Sequence, residues 1–290
     1  MTTRSARTSH PRPGRTTARR RRMGQHFLTD APTVQRILEA FAPRLTDRVL
    51  EIGPGQGVLT GPLLTSVHRL LAVELDPGLA RALAHRHRGE KALQVEQADI
   101  LTLDLSRLRD LLGRSPSGGI RVRVLGNLPY RIATAVLRRL LPHPRLISDL
   151  TVMVQEEVAR RILARAGESA YGAFSVFIGL HARPRAVMTV PPGAFRPPPR
   201  VVSSVLRLDL PSPMRIQPAD RTRAVALAEA AFSQRRKMLI NALGAAGHPP
   251  EQVARALLSR DIPPRARPQD LTPADYVAVA RRLAPAGRAR

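Results

Sequence analysis

Residues Val49-Leu-Glu-Ile-Gly-Pro-Gly-Gln-Gly57 constrain this chain more than any other stretch. A short apolar run, Val49 to Ile52, meets glycines at 53, 55 and 57 and then a second mostly apolar run, Val58 to Leu64. The pattern reads as a strand, a tight turn and a helix. Glycine adopts backbone conformations closed to other residues and lets the main chain approach a ligand closely. The dinucleotide spacing G-x-G-x-x-G is not met, because Val58 and Thr60 stand where a third glycine would fall. A glycine-rich turn with no ligand is the bland alternative, and the residues downstream count against it.

The next apolar run, Leu70 to Asp76, carries Glu74 twenty-one positions after Gly53. In nucleotide-binding α/β folds an acid at the end of the second strand accepts hydrogen bonds from ribose hydroxyls. A third run, Leu93 to Gln97, ends near Asp99, which reads either as an acceptor for a purine amino group or as a cap on the turn before Ile100. A fourth leads into Leu125-Gly-Asn-Leu-Pro-Tyr130. There the Asn127 amide oxygen and the carbonyl of Leu128 or Pro129 suit an exocyclic amino group, and Tyr130 suits a flat base. Asn and Pro are also ordinary turn residues. Phe195 precedes three prolines, a stiff extended segment that would hold an aromatic face still. With Tyr130 it would sandwich a flipped base, each stacking contact contributing about 1–3 kcal/mol. The alternative for Phe195 is a core anchor.

Charge names the partner. Lys and Arg number 47 against 22 Asp and Glu, a formal net charge of +25, and only Lys91 and Lys237 are lysines. Arginine forks pair with phosphates bidentately, so this excess implies a polyanion, namely nucleic acid. With no cysteine there is no disulfide, thiolate nucleophile or cysteine-based zinc site. The eight histidines show no ligand spacing, so no metal is expected. No apolar run reaches membrane-spanning length and no signal segment is visible, which leads to the expectation of a cytoplasmic protein without a membrane partner.

The chain divides by pattern. Residues 1–22 hold eight arginines and no acid and read as a disordered basic arm. From 23 to 210, strand-like runs at 48–52, 70–75, 92–97, 121–126, 150–155, 185–190 and 202–209 alternate with helical spacing. This alternation predicts an α/β domain with a parallel sheet between helices, its last two strands forming an antiparallel edge. Residues 211–284 read as a small helical domain with helices over 219–243, 250–258 and 273–283, and 285–290 as a frayed tail.

Met23-Gly-Gln-His-Phe-Leu28, Glu51-Ile-Gly-Pro-Gly-Gln-Gly57, Asn127-Leu-Pro-Tyr130, Gln155-Glu-Glu-Val158, Phe195-Arg-Pro-Pro-Pro-Arg-Val-Val-Ser203 and Phe232-Ser-Gln-Arg-Arg-Lys-Met-Leu239 stand in that order. Together they resemble the ribosomal RNA adenine dimethyltransferase family over roughly residues 22 to 284. The resemblance implies a Rossmann-like, S-adenosylmethionine-dependent methyltransferase sheet with a small C-terminal α-helical domain. It implies cofactor contacts at His26, Leu28, Gly53, Gly55, Glu74, Asp99 and Asn127, and a target-base clamp at Asn127, Leu128, Pro129, Tyr130 and Phe195. Arg235, Arg236 and Lys237 would meet RNA phosphate from the first helix of the C-terminal domain, or simply form a solvated helix face. The family usually has asparagine where His26 and Arg131 stand. The expected activity is N6,N6-dimethylation of two adjacent adenosines in the 3'-terminal hairpin of small-subunit (16S) rRNA, within an immature small subunit, by a monomer. The alternatives are a large-subunit (23S) rRNA methyltransferase conferring macrolide-type resistance and a non-catalytic RNA-binding assembly factor.

Overall fold

A computed structural model describes residues 26–113, 121–211 and 214–283. The arm and the tail anticipated at the two ends lie outside these residues. In chain order the strands are β1 (Phe27–Leu28), β2 (Arg48–Ile52), β3 (Arg69–Glu74), β4 (Leu93–Gln97), β5 (Val122–Asn127), β6 (Ile147–Gln155), β7 (Arg183–Val190), β8 (Phe195–Arg196) and β9 (Ser203–Asp209). The helices up to the last strand are α1 (Ala31–Phe41), α2 (Thr60–Leu64), α3 (Pro77–Arg86), α4 (Leu108–Leu111), α5 (Ala133–Leu140), α6 (Glu156–Leu163) and α7 (Ala173–His181). After it come α8 (Pro218–Phe232), α9 (Leu239–Gly244), α10 (Pro250–Leu258) and α11 (Pro273–Arg282).

Seven strands form one sheet in the order β4-β3-β2-β5-β6-β9-β7, with the neighbours from β4 to β6 parallel. Side chains alternate across it, as strand geometry requires. Leu50, Ile52, Val124, Val152 and Leu206 enter one apolar layer with α5, α6 and part of α7. Val49, Leu125, Met153 and Val205 enter the other with α1 and Leu63 of α2. The central strands are thus covered on both faces, which is why they read as nearly continuous apolar runs, whereas the edge strands β4 and β7 are only partly buried.

The expected antiparallel edge is present but inserted differently. β9 pairs antiparallel with both β6 and β7, so the later strand is internal and β7 forms the edge. The chain leaves β7, makes the short β8, which pairs antiparallel with β1, and only then returns to fill the gap.

Helix α7 is apolar nearly all round. Phe174, Phe177 and Ile178 face the sheet layer, whereas Val176 and Leu180 face a third core built by α8 to α11. A helix apolar on every side is a buried one. The helix expected over 219–243 is interrupted: α8 stops at Phe232 and α9 starts at Leu239. Between them the chain turns, with Lys237 N–H donating to Gln234 O (2.9 Å) and Leu239 N–H to Ala266 O (2.7 Å). Arg235, Arg236 and Lys237 therefore sit on a turn rather than on a helix face.

Strand order reverses direction between β2 and β5. Crevices outside the C-terminal ends of parallel strands at such a switch point are where open α/β sheets take ligands.

Candidate active site

The glycine turn after β2 is held open by its own conformation. Gly53, Gly55 and Gly57 have φ of +64, +58 and +78°, in the left-handed region. A Cβ on Gly57 would fall 2.5 Å from Leu83 of α3, so a side chain there is excluded by packing as well as by φ. The neighbouring strand is equally constrained: a Cβ on Gly126 would lie 2.8 Å from the carbonyl oxygen of Ile52. These close approaches let β2 and β5 end side by side, with Ile52 paired to Gly126, before their loops diverge around a cleft.

Four segments wall that cleft: His26 to Leu28, Glu51 to Leu59, Glu74, and Asn127 to Tyr130. Of the expected cofactor residues it brings together His26, Leu28, Gly53, Gly55, Glu74 and Asn127. Glu74 is buried and ties the turn to β3: Gly55 N–H donates to Oε2 (3.0 Å) and Asp76 N–H to Oε1 (2.9 Å). Burial raises its pKa, against the backbone donors Asp76, Gly55 and Leu75, and the neighbouring Asp76 charge adds to the rise. A carboxylate has about four acceptor sites, so Glu74 retains capacity for a ligand hydroxyl. Asp99 lies past β4 on the same rim but does not line the cleft. Its Oδ1 accepts from Leu101 N–H (2.8 Å), so the turn-capping reading describes the bond it makes.

Asn127 is poised as an acceptor. Its Nδ2 is directed at His26 O (3.4 Å), which turns Oδ1 away from that contact. Of the two backbone acceptors weighed from sequence, Pro129 O is occupied by Ile132 and Ala133 N–H (3.0 and 3.1 Å), opening the turn into α5. The Leu128 carbonyl is the one with capacity to spare, and its side chain is anchored in the core with no exposure. Tyr130 is half-buried; burial raises the pKa of its phenol, which pairs with Ser203 Oγ at 2.7 Å.

Phe195 corrects the sandwich expected from sequence. It is 0 % exposed and packs in the layer with Leu28 and Phe41. Pairing of β8 with β1 turns its ring inward, so it has no face to offer a base and acts as the core anchor. The ring beside Tyr130 is instead His26, with centroids 5.9 Å apart and planes 27° from parallel. His26 Nδ1 is fixed by Pro197 O at 2.8 Å. The basic trio lies apart from the cleft, with Arg235 tethered to Ser169 O (2.7 Å) and Arg236 and Lys237 exposed.

Glu51 had no role in the sequence reading, although a carboxylate inside an apolar strand is a visible signal. It is 2 % exposed, accepts from Thr60 Oγ1 (2.7 Å) and lines the cleft. Burial pushes its pKa up to about 7; the Thr60 bond opposes the rise and the nearby Glu74 charge adds to it. Phe27, also on the wall, packs 3.1 Å from where a Gly55 Cβ would stand.

A glycine turn too tight for side chains, a ribose-type acceptor on the adjacent strand and buried carboxylates fit S-adenosylmethionine. Fold and cleft define an S-adenosylmethionine-dependent methyltransferase. The chain belongs to the ribosomal RNA adenine dimethylase family, which it matches over residues 16–285. It is 41% identical to the ribosomal RNA small subunit methyltransferase A of Methylococcus capsulatus, over 92% of this chain and 98% of that one. The protein of the same name from Bordetella avium is 39% identical over 92% and 96%. The crystal structure of the 23S rRNA methyltransferase ErmE superposes with a TM-score of 0.67 at 27% identity, covering 89% of this chain and 99% of that one. A dimethyladenosine transferase from Plasmodium falciparum shares the fold at a TM-score of 0.71 and 23% identity, over 88% and 96%.

Proposed function

We propose that this protein dimethylates N6 of two adjacent adenosines in the 3'-terminal hairpin of 16S rRNA. It would act in the cytoplasm, as a monomer without a metal, on an immature small ribosomal subunit. Likeness to small subunit methyltransferases at 39–41% identity over nearly their whole length carries this reading, against 27% for the 23S enzyme. No helix among the described residues is long and apolar enough to cross a membrane.

When bound, S-adenosylmethionine supplies a methyl group activated by its sulfonium. The chain's own residues orient the partners. Glu74 accepts from the ribose hydroxyls, and Asp99, whose second oxygen bonds no described residue, accepts from the adenine amino group of the cofactor. Leu75, exposed just past Glu74, gives an apolar surface beside that ring. His26 and Leu28 close the cleft from the side of β1, and Gly53 and Gly55 admit the cofactor close to the backbone.

The target adenine stacks on Tyr130. Its amino group donates to Asn127 Oδ1 and to the Leu128 carbonyl. Two acceptors on one amino group favour a pyramidal nitrogen with its lone pair aimed along the transfer axis. Alignment of this kind is worth about 7–11 kcal/mol in well-oriented reactions. The nitrogen that has taken the methyl is cationic and strongly acidic, so water suffices to remove its proton and no general base is assigned. Arg236 and Lys237 contact phosphate, supplying affinity rather than chemistry.

The test is mass mapping of dimethyladenosine in both rRNAs from cells with and without the gene. Loss of the mark from 16S rRNA supports the reading. Loss from 23S rRNA instead would move the protein to the ErmE side of the family, and no loss from either would favour a non-catalytic assembly role.

A further inference from the structure

The phenolic hydroxyl of Tyr130 has no part in the chemistry described above, yet it makes the shortest polar contact of that residue. It meets Ser203 Oγ at 2.7 Å, one hydroxyl donating to the other. Ser203 opens β9, is 0 % exposed, and is paired through its backbone to Gln155 on one side and Val190 on the other. Its hydroxyl is one rotatable bond from an internal strand of the sheet, which makes it a fixed point.

The ring of Tyr130 has a second neighbour in His26, whose own orientation is set by Nδ1 against Pro197 O. Pro197 opens the six-residue return from β8 to β9, and Ser203 is the first residue of β9 that follows it. A tyrosine ring has two soft degrees of freedom. The hydroxyl lies on the axis from Cβ through the ring, so holding it fixes where that axis points but leaves rotation about the axis free. A flat neighbour against the ring restricts that rotation.

Accepting Tyr130 as the stacking face for the target base, we propose that Ser203 and His26 are positioning residues for it. Ser203 fixes the direction of the ring and His26 its roll, so that the face turned to the cleft is set before the adenine arrives. Neither residue touches the reacting atoms. The arrangement gives His26 a use beyond lining the cleft.

Single-turnover methyl transfer to immature small subunits tests this, with filter binding on the same particles and calorimetry with S-adenosylmethionine. Ser203→Ala and Tyr130→Phe remove the same hydrogen bond from opposite ends. Each should slow transfer about five- to tenfold, the worth of one hydrogen bond near 1 kcal/mol, with RNA and cofactor affinity unchanged. The double variant should be no slower than the slower single. His26→Ala should slow transfer, and His26→Phe, which restores a flat ring, should recover much of the loss.

Multiplying effects in the double variant would show that Ser203 acts elsewhere and overturn its role. A wild-type rate for Ser203→Ala would do the same, and equal rates for His26→Ala and His26→Phe would overturn the role of His26. If Ser203→Ala does not fold, Tyr130→Phe must still show the loss. The stacking reading is tested separately by Tyr130→Ala: full activity there removes the base clamp itself, whereas inactivity with a normal Ser203→Ala removes only the present inference.

Discussion

At the N-terminal end of the parallel strands, Asp47 and Asp149 close on Arg123 with contacts of 2.7 and 3.0 Å, and Arg207 adds a longer one to Asp149 at 3.6 Å. The same guanidinium donates to the carbonyls of Phe41 and Ala42 and lies 4.1 Å above the Phe41 ring. At the C-terminal end, Glu51 and Glu74 are as deeply buried but have a hydroxyl and backbone N–H groups for partners, and no ion pair to a described cation. One end of the sheet spends its buried charge on closing the fold. The other leaves carboxylates under-compensated around a cleft that takes a cationic cofactor. Buried carboxyls with raised pKa values collect at functional sites for this reason.

If the division is right, substitutions at the two ends separate stability from activity. The largest effect belongs to the closed end. Arg123→Met leaves buried Asp149 with only the longer Arg207 ion pair and takes the cation from part-buried Asp47, and breaking a buried pair from one side costs about 3–5 kcal/mol. Thermal unfolding should show a clear fall in Tm, while methyl transfer at a temperature where the variant is folded stays near wild type. A variant of unchanged Tm would mean that the network is ornamental.

At the open end the order inverts. Asn127→Ala and Tyr130→Ala remove the amino-group acceptor and the stacking face, and misplacement of reacting groups by about 1 Å costs roughly 100-fold. Both should lower single-turnover transfer by at least that order, with little change in Tm or in RNA binding, which phosphate contacts dominate. Wild-type turnover in Asn127→Ala would sink the assignment of Asn127 to Tyr130 as the base clamp. Next in size, Glu74→Ala should weaken S-adenosylmethionine by about 1.5–3 kcal/mol, the range for hydrogen bonds to a charged group. Calorimetry on the folded variant reads this directly.

The cleft was more legible in the sequence than the layout around it. Gly53, Gly55, Glu74 and Asn127 each sit at the end of an apolar run, and runs buried on both faces stand out without any knowledge of strand order. Phe195 was not legible, because its exposure depends on pairing between β1 and β8, segments about 170 residues apart. The placement of β9 between β6 and β7 is non-local in the same way. Helix α7 escaped because an apolar run has no polar face to betray its period. The break after Phe232 escaped because what ends α8 is tertiary: Arg235 reaches Ser169, and Leu239 bonds Ala266. Ser203 was visible only as the end of a motif until its hydroxyl met Tyr130.

The smallest effect is a pH dependence that only the open end should show. The Glu51 carboxyl has its pKa raised by burial to about 7, from 4.5. Between those values the folded protein holds a proton that the unfolded chain has lost. Stability contributed by this group is therefore fully present below the unfolded value and drains away as pH rises toward 7. Glu74, raised for the same reason, contributes with the same sign. Restricting urea denaturation to pH 5.5 through 7 leaves the ordinary carboxylates ionised throughout, and over that window Glu51 should account for a loss on the order of 1 kcal/mol. Glu51→Gln is neutral at every pH and keeps an acceptor for Thr60, so its stability should change less than that of wild type across the same range. Saturating S-adenosylmethionine, by bringing positive charge to the cleft, should flatten the wild-type slope toward that of the variant. Parallel slopes for wild type and Glu51→Gln would show that Glu51 is already ionised in the folded protein, and the contrast between the two ends would then rest on Glu74 alone.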